Sequence, residues 1–222
     1  MTPELERFLR TEDLDDLLAA RQGLGPLNAS DREILVETLT RRSPLQAVAN
    51  LLFFPSLIPS DLRVFFLRQN LREPLVEYLA LAASVGVQEM NPEGLSNPDR
   101  RGLTDDLWSA LWSSPAVAGH ALISLTGFAP PADAGKMMKL LEHSDSSVRH
   151  NALAWLIQRL GSQKLERWER LGADSKISDR TLRETVTRLQ EHERKRKEGG
   201  LSNLDLFVLP QIPGFSEHET DG

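Results

Sequence analysis

Five histidines (His120, His143, His150, His192 and His218) and two pairs of adjacent aspartates (Asp15–Asp16 and Asp105–Asp106) are the side chains of this 222-residue chain best suited to metal or acid–base chemistry. Their spacing argues against both uses. No H-E-x-x-H or comparable ligand spacing occurs, and the nearest candidate, His143 with His150 and Glu142, spans a helix junction that fixes no metal geometry. Adjacent residues on a helix point about 100° apart, so neither aspartate pair can address one bond as acid and base. In first turns they would instead complement the helix dipole.

Other catalytic signatures are missing. No G-x-S-x-G occurs, and Gly23–Pro26 is too short for a dinucleotide fingerprint. Gly135–Lys136 lacks the preceding loop of a phosphate-binding motif. The absence of cysteine removes disulfides, thiolate metal sites and a cysteine nucleophile together. The chain is therefore expected to be non-catalytic, with no cofactor and no metal. The basic run His192–Lys197 is interleaved with Glu191, Glu193 and Glu198 and reads as a solvated helix end. With a net charge of −6 and a pI near 5.5, it argues against a nucleic-acid binder.

The elements that would position any site are helices. Leu, Ala, Arg and Glu dominate, alternating β-branched runs are missing, and apolar residues recur at helical spacing, as in Val148, Ala152, Trp155 and Leu156. Trp108, Trp112, Trp155 and Trp168 follow the same spacing and are expected in the core. Thr2, Ser43 and Ser114 each precede a proline and mark helix starts; Ser30, Ser60, Thr104, Ser144 and Ser178 are further capping candidates. With breaks at Gly and Pro clusters, these starts divide the chain into about a dozen short helices.

The segment RRSPLQAVANLLFF, Arg41 to Phe54, returns in variant form. With Arg42, Glu73, Ser114 and Asp145 set as equivalent, the separations are 31, 41 and 31 residues. Three positions later stand Leu45, Val76, Val117 and Val148, and seven later Ala49, Ala80, Ala121 and Ala152. A small residue at a fixed place lets helix axes approach closely, and such a period marks stacked helical hairpins. The long separation reflects residues 86–103, read as an inserted loop because they hold two Asn-Pro pairs and three glycines. Such a loop is either functional or disordered.

The copy D-S-S-V-R-H-N-A-L-A-W-L, from Asp145, resembles the second helix of a HEAT repeat, an armadillo-type helical repeat; the other copies lack its Arg. That resemblance implies an all-α, right-handed α-solenoid of about six stacked helical hairpins over residues 1–198. It also implies that Asp145 and Arg149 bond between successive repeats.

Residues 199–222 follow two glycines and lose the helical period. Leu204, Leu206, Phe207, Val208, Leu209, Ile212 and Phe215 make this extended C-terminal tail too apolar for an indifferent solvated end. It is expected either to bind a partner or to cap its own solenoid. No run of about 18 apolar residues is present for a membrane span, and the acidic N-terminus lacks a secretory pattern, so the chain reads as cytoplasmic. The expected function is a protein–protein interaction scaffold, adaptor or assembly factor within a larger complex, its partner another protein. The alternatives are a helical-repeat nucleic-acid binder and an enzyme whose site lies on the concave face.

Overall fold

The computed structural model describes residues 1–130 and 133–160. Among them are ten α-helices and no strand: α1 (Pro3–Arg10), α2 (Leu14–Gly23), α3 (Ala29–Arg41), α4 (Leu45–Phe53), α5 (Ser60–Arg72), α6 (Glu77–Val87), α7 (Asn97–Ala110), α8 (Pro115–Phe128), α9 (Ala134–Lys139) and α10 (Ser146–Leu160). Short 3₁₀ turns stand at Pro55–Leu57, Pro92–Gly94 and Leu140–Glu142. The all-α expectation holds over the described residues.

Helix starts follow capping chemistry, at positions that differ from several expected ones. Ser114 caps α8 by accepting from the Val117 N–H at 3.4 Å. Asn28 rather than Ser30 caps α3, accepting from the Asp31 N–H at 2.9 Å. Ser60 is the first residue of α5, behind Pro59, and Thr104 lies inside α7 with its hydroxyl donated to the Arg100 carbonyl. Thr2 directs both its N–H and its hydroxyl to the Asp31 carboxylate, at 3.0 and 3.3 Å, which ties the start of α1 to α3. Ser43 closes α3 rather than opening α4. Arg42 adopts the left-handed conformation (φ 52°, ψ 41°), so the Ser43 N–H bonds back to the Thr38 carbonyl and the Arg42 N–H to that of Leu39. The Ser43–Pro44 peptide is cis, and Pro44 precedes the first helical residue, Leu45. Ser178 lies outside the described residues.

Much of the segment expected as a loop, residues 86–103, is helical. The turn residues Ser96, Asn97 and Pro98 begin α7: Ser96 accepts from the Asp99 N–H, and Pro98 occupies the first turn, where a missing N–H leaves no gap. Gly102 lies within α7, where a methyl would meet the Arg68 guanidinium from α5.

Consecutive helices pair through short turns: α3 with α4, α5 with α6, α7 with α8 and α9 with α10. Across pairs, α1, α4, α6, α8 and α10 pack in succession as one row, and α5 packs on α7 in a second. The four recurring alanines, Ala49, Ala80, Ala121 and Ala152, lie one on each of α4, α6, α8 and α10, and all are buried. Gly86 brings α6 so close to α4 that a Cβ there would overlap the Leu52 carbonyl oxygen. Every residue from Leu79 to Ser84 on α6 and from Val117 to Leu125 on α8 is buried. Apolar residues on all sides of a helix are what full burial between neighbours requires.

Two buried polar side chains tie neighbouring helices together. Asn50 donates to the carbonyls of Phe8 and Thr11 at 2.8 and 2.9 Å, satisfying the open end of α1, and accepts from Gln46. The Ser124 hydroxyl on α8 donates to the Ser84 carbonyl on α6 at 2.6 Å. Each bond fixes the register of two neighbouring helices of the row.

Candidate functional site

With the faces of α6 and α8 buried, the exposed apolar residues show where the described surface is open. Leu45, Leu75, Val76 and Trp112 are exposed and lie in or directly beside the turns that join paired helices; Met1, Leu18 on α2 and Phe65 on α5 are exposed away from those turns. Two pairs of adjacent turns are in contact. The Arg42 Nη2 donates to the Asn70 Oδ1 and to the Glu73 carbonyl, joining the turn before α4 to the turn before α6. The rings of Trp112 and His143, in the turns before α8 and α10, lie 5.5 Å apart at 45°.

Trp112 stands just past α7 because the helix runs out beneath it. Its N–H bonds to the Ser109 carbonyl, and Ser113 returns both its N–H and its hydroxyl to the Ala110 carbonyl, closing a tight turn. Leu111 is buried and anchors that turn, which leaves the Trp112 side chain pointing outward at 66% exposure. On the facing turn, the His143 Nδ1 accepts from the Asp145 N–H at 3.1 Å. Between them lies an open cleft of about 470 Å³, lined by Leu111, Trp112, Ser113 and Pro115 on one side and by Lys139, His143 and Ser144 on the other.

The electrostatics of the cleft are cationic. Lys139 is its charged lining residue. Arg149, one turn into α10, donates from Nη1 to the carbonyls of His143 and Ser144 at 2.6 and 2.8 Å, placing a second positive charge behind the rim. The nearby carboxylate of Asp145 is turned into its own helix, accepting from the Ser147 and Val148 N–H groups and the Ser147 hydroxyl. Burial works to raise the Asp145 carboxyl, but the Ser147 hydroxyl, the Val148 and Ser147 N–H groups and His143 outweigh it and hold it below its ordinary value. Within the described residues Asp145 and Arg149 thus close the turn of their own hairpin, where the resemblance implied bonds between successive repeats.

Two expected placements change. Trp155 is buried and Trp108 half-buried, its Nε1 donating to Asp133, but Trp112 is on the surface. Its spacing from Trp108 matches a helical face, and the chain leaves the helix at Leu111. The dipeptide Ser113-Ser114 ahead of Pro115 was the signal, since a capped start at Ser114 leaves Trp112 in a turn. Asp106 lies mid-helix in α7 instead of in a first turn, and holds the Nε atoms of Arg68 and Arg72 on α5, each at 2.7 Å. Burial pushes its carboxyl above the ordinary range, and the hydrogen bond and charge of Arg72 offset this in part.

His150 is buried on α10, and among the described residues no three His, Cys, Asp or Glu side chains gather as metal ligands. Among them, too, no helix is long and apolar enough to cross a membrane. The tail residues Leu204, Leu206, Phe207, Val208, Leu209, Ile212 and Phe215, expected to bind a partner, lie outside the described residues. No family model, curated protein or solved structure matches this chain.

Proposed function

We propose that this chain is a HEAT-like, right-handed α-solenoid of about six hairpins that serves as a cytoplasmic, non-catalytic scaffold, adaptor or assembly subunit, engaging another protein along its turn edge. The observation that carries this reading is the exposure of Trp112 at the mouth of a cleft between two adjacent turns. A tryptophan left two-thirds in water gives the fold little, and large aromatic side chains of this kind anchor protein interfaces. Leu45, Leu75 and Val76 at the other turns extend the apolar character along that edge. The two copies of the alanine pattern that flank Trp112 and His143, on α8 and α10, bury their small residues and so hold the two turns side by side.

Affinity purification from the native organism tests the reading when wild type and Trp112→Ala are run in parallel. A chain that co-purifies with wild type and is depleted at least tenfold from an equally stable Trp112→Ala supports it. Identical co-purifying chains from the two proteins would remove Trp112 from any interface. The apolar tail, residues 199–222, is a second contact on the same reading or a cap on the solenoid. Truncation after Gly200 separates these roles by whether partner binding or melting temperature is lost.

A further inference from the structure

We propose that the Trp112–His143 cleft receives an acidic segment of the partner polypeptide, with an apolar side chain laid on Trp112 and a carboxylate directed to Lys139. This rests on the reading of the turn edge as a protein-binding surface and adds the chemistry of what binds there.

Three observations select that ligand. The charged side chain lining the cleft is a lysine, Arg149 stands behind the His143–Ser144 rim, and the Asp145 carboxylate is occupied by its own helix. An incoming carboxylate therefore meets the two positive charges of Lys139 and Arg149 against the single Asp145 carboxylate, which is turned into its own helix, in a chain whose net charge of −6 makes a cationic locus an exception. The Trp112 ring is held against His143 and remains mostly exposed, so it offers a preorganised apolar surface beside Lys139. The cleft volume of about 470 Å³ suits a few side chains of an extended segment, and two walls set by separate hairpins give it direction. A nucleic-acid strand is the less fitting anion, because the overall negative charge repels a continuous phosphate backbone.

Selection from a display library of short random peptides on the full chain tests this. Enriched peptides are expected to carry Asp or Glu beside an aromatic or aliphatic residue, to bind at least tenfold more weakly to Trp112→Ala, and to weaken as salt rises. The Lys139→Glu protein should lose these peptides and select basic ones. Wild-type enrichment of neutral or basic peptides that still require Trp112 would overturn the acidic assignment and leave the protein-binding edge standing. An unchanged selection by Lys139→Glu, or displacement of the peptides by a single-stranded DNA oligonucleotide, also overturns it. Failure to enrich any Trp112-dependent peptide, together with unchanged co-purification by Trp112→Ala, would overturn both.

Discussion

The guanidinium of Arg42 donates to the carbonyl oxygen of Glu73 at 2.6 Å, joining the two positions that open successive copies of the sequence pattern. The same Nη2 donates to the Oδ1 of Asn70, a fully buried side chain that in turn donates to the Phe66 carbonyl. Arg42 makes these bonds from a left-handed backbone. Arg42→Ala keeps that backbone cost and loses both bonds, so it should destabilise by about 1–3 kcal/mol. Arg42→Gly loses the same bonds but relieves a left-handed cost of about 1–2 kcal/mol, and should fall between wild type and the alanine variant. Urea denaturation midpoints at constant slope give the order.

Gly86→Ala should be among the most damaging single-methyl changes in the described core. The added carbon would overlap the Leu52 carbonyl, a backbone atom that no rotamer change can move, so α4 and α6 must separate. A loss of about 3 kcal/mol or more is expected, at or beyond the usual overpacking range. Gly94→Ala, with open space around it, is the control and should change the thermal midpoint little.

Ala121→Leu and Ala152→Leu add methylenes at fully buried positions on α8 and α10. Each should cost about 1–3 kcal/mol. Unchanged melting temperatures in both variants would show that these alanines are not points of close helix approach.

Asp145→Ala should lower stability at neutral pH by about 1 kcal/mol, the usual cost of a lost helix cap. Its folded carboxyl lies below the ordinary value, so the folded state binds fewer protons there than the unfolded chain. The stabilisation is then complete above the unfolded value of about 3.9 and is lost as pH falls through the lower folded value. The gap between wild type and variant should be flat from pH 7 to about 5 and close below about 4. Asp106 has the opposite sign: its raised carboxyl favours folding at low pH, and that contribution disappears as pH rises through the raised value. A gap for Asp145→Ala that widens in acid would contradict the assignment.

Features governed by local periodicity were legible in the sequence. The helices, the capped start at Ser114 and the recurring alanines follow from apolar spacing and from hydroxyl–proline pairs, and these operate within a few residues. What was hidden depended on contacts between distant segments. Ser43 looks like a cap, but the left-handed turn at Arg42 commits its N–H to α3. Residues 97–102 look like a loop because Asn, Pro and Gly are turn formers, yet Pro98 fits a first helical turn and Gly102 makes room for Arg68. Asp105–Asp106 looks like a first-turn pair until Arg68 and Arg72, far earlier in the chain, are placed beside it. The cleft itself was invisible, since it forms only where the turn before α8 meets the turn before α10.

Because the chain has no cysteine, a single one can be placed at will, and site-specific photocrosslinking in lysate of the native organism tests the turn edge most directly. A benzophenone on Ser113→Cys sits in the cleft wall, one on Leu75→Cys lies in the paired-helix turn one hairpin earlier, and one on Ser56→Cys lies in the 3₁₀ turn after α4. The account predicts a discrete covalent adduct with another polypeptide from Ser113→Cys, a weaker one with the same polypeptide from Leu75→Cys, and none from Ser56→Cys. Adducts of equal yield from all three positions, or none from Ser113→Cys while the labelled protein stays folded, would contradict it.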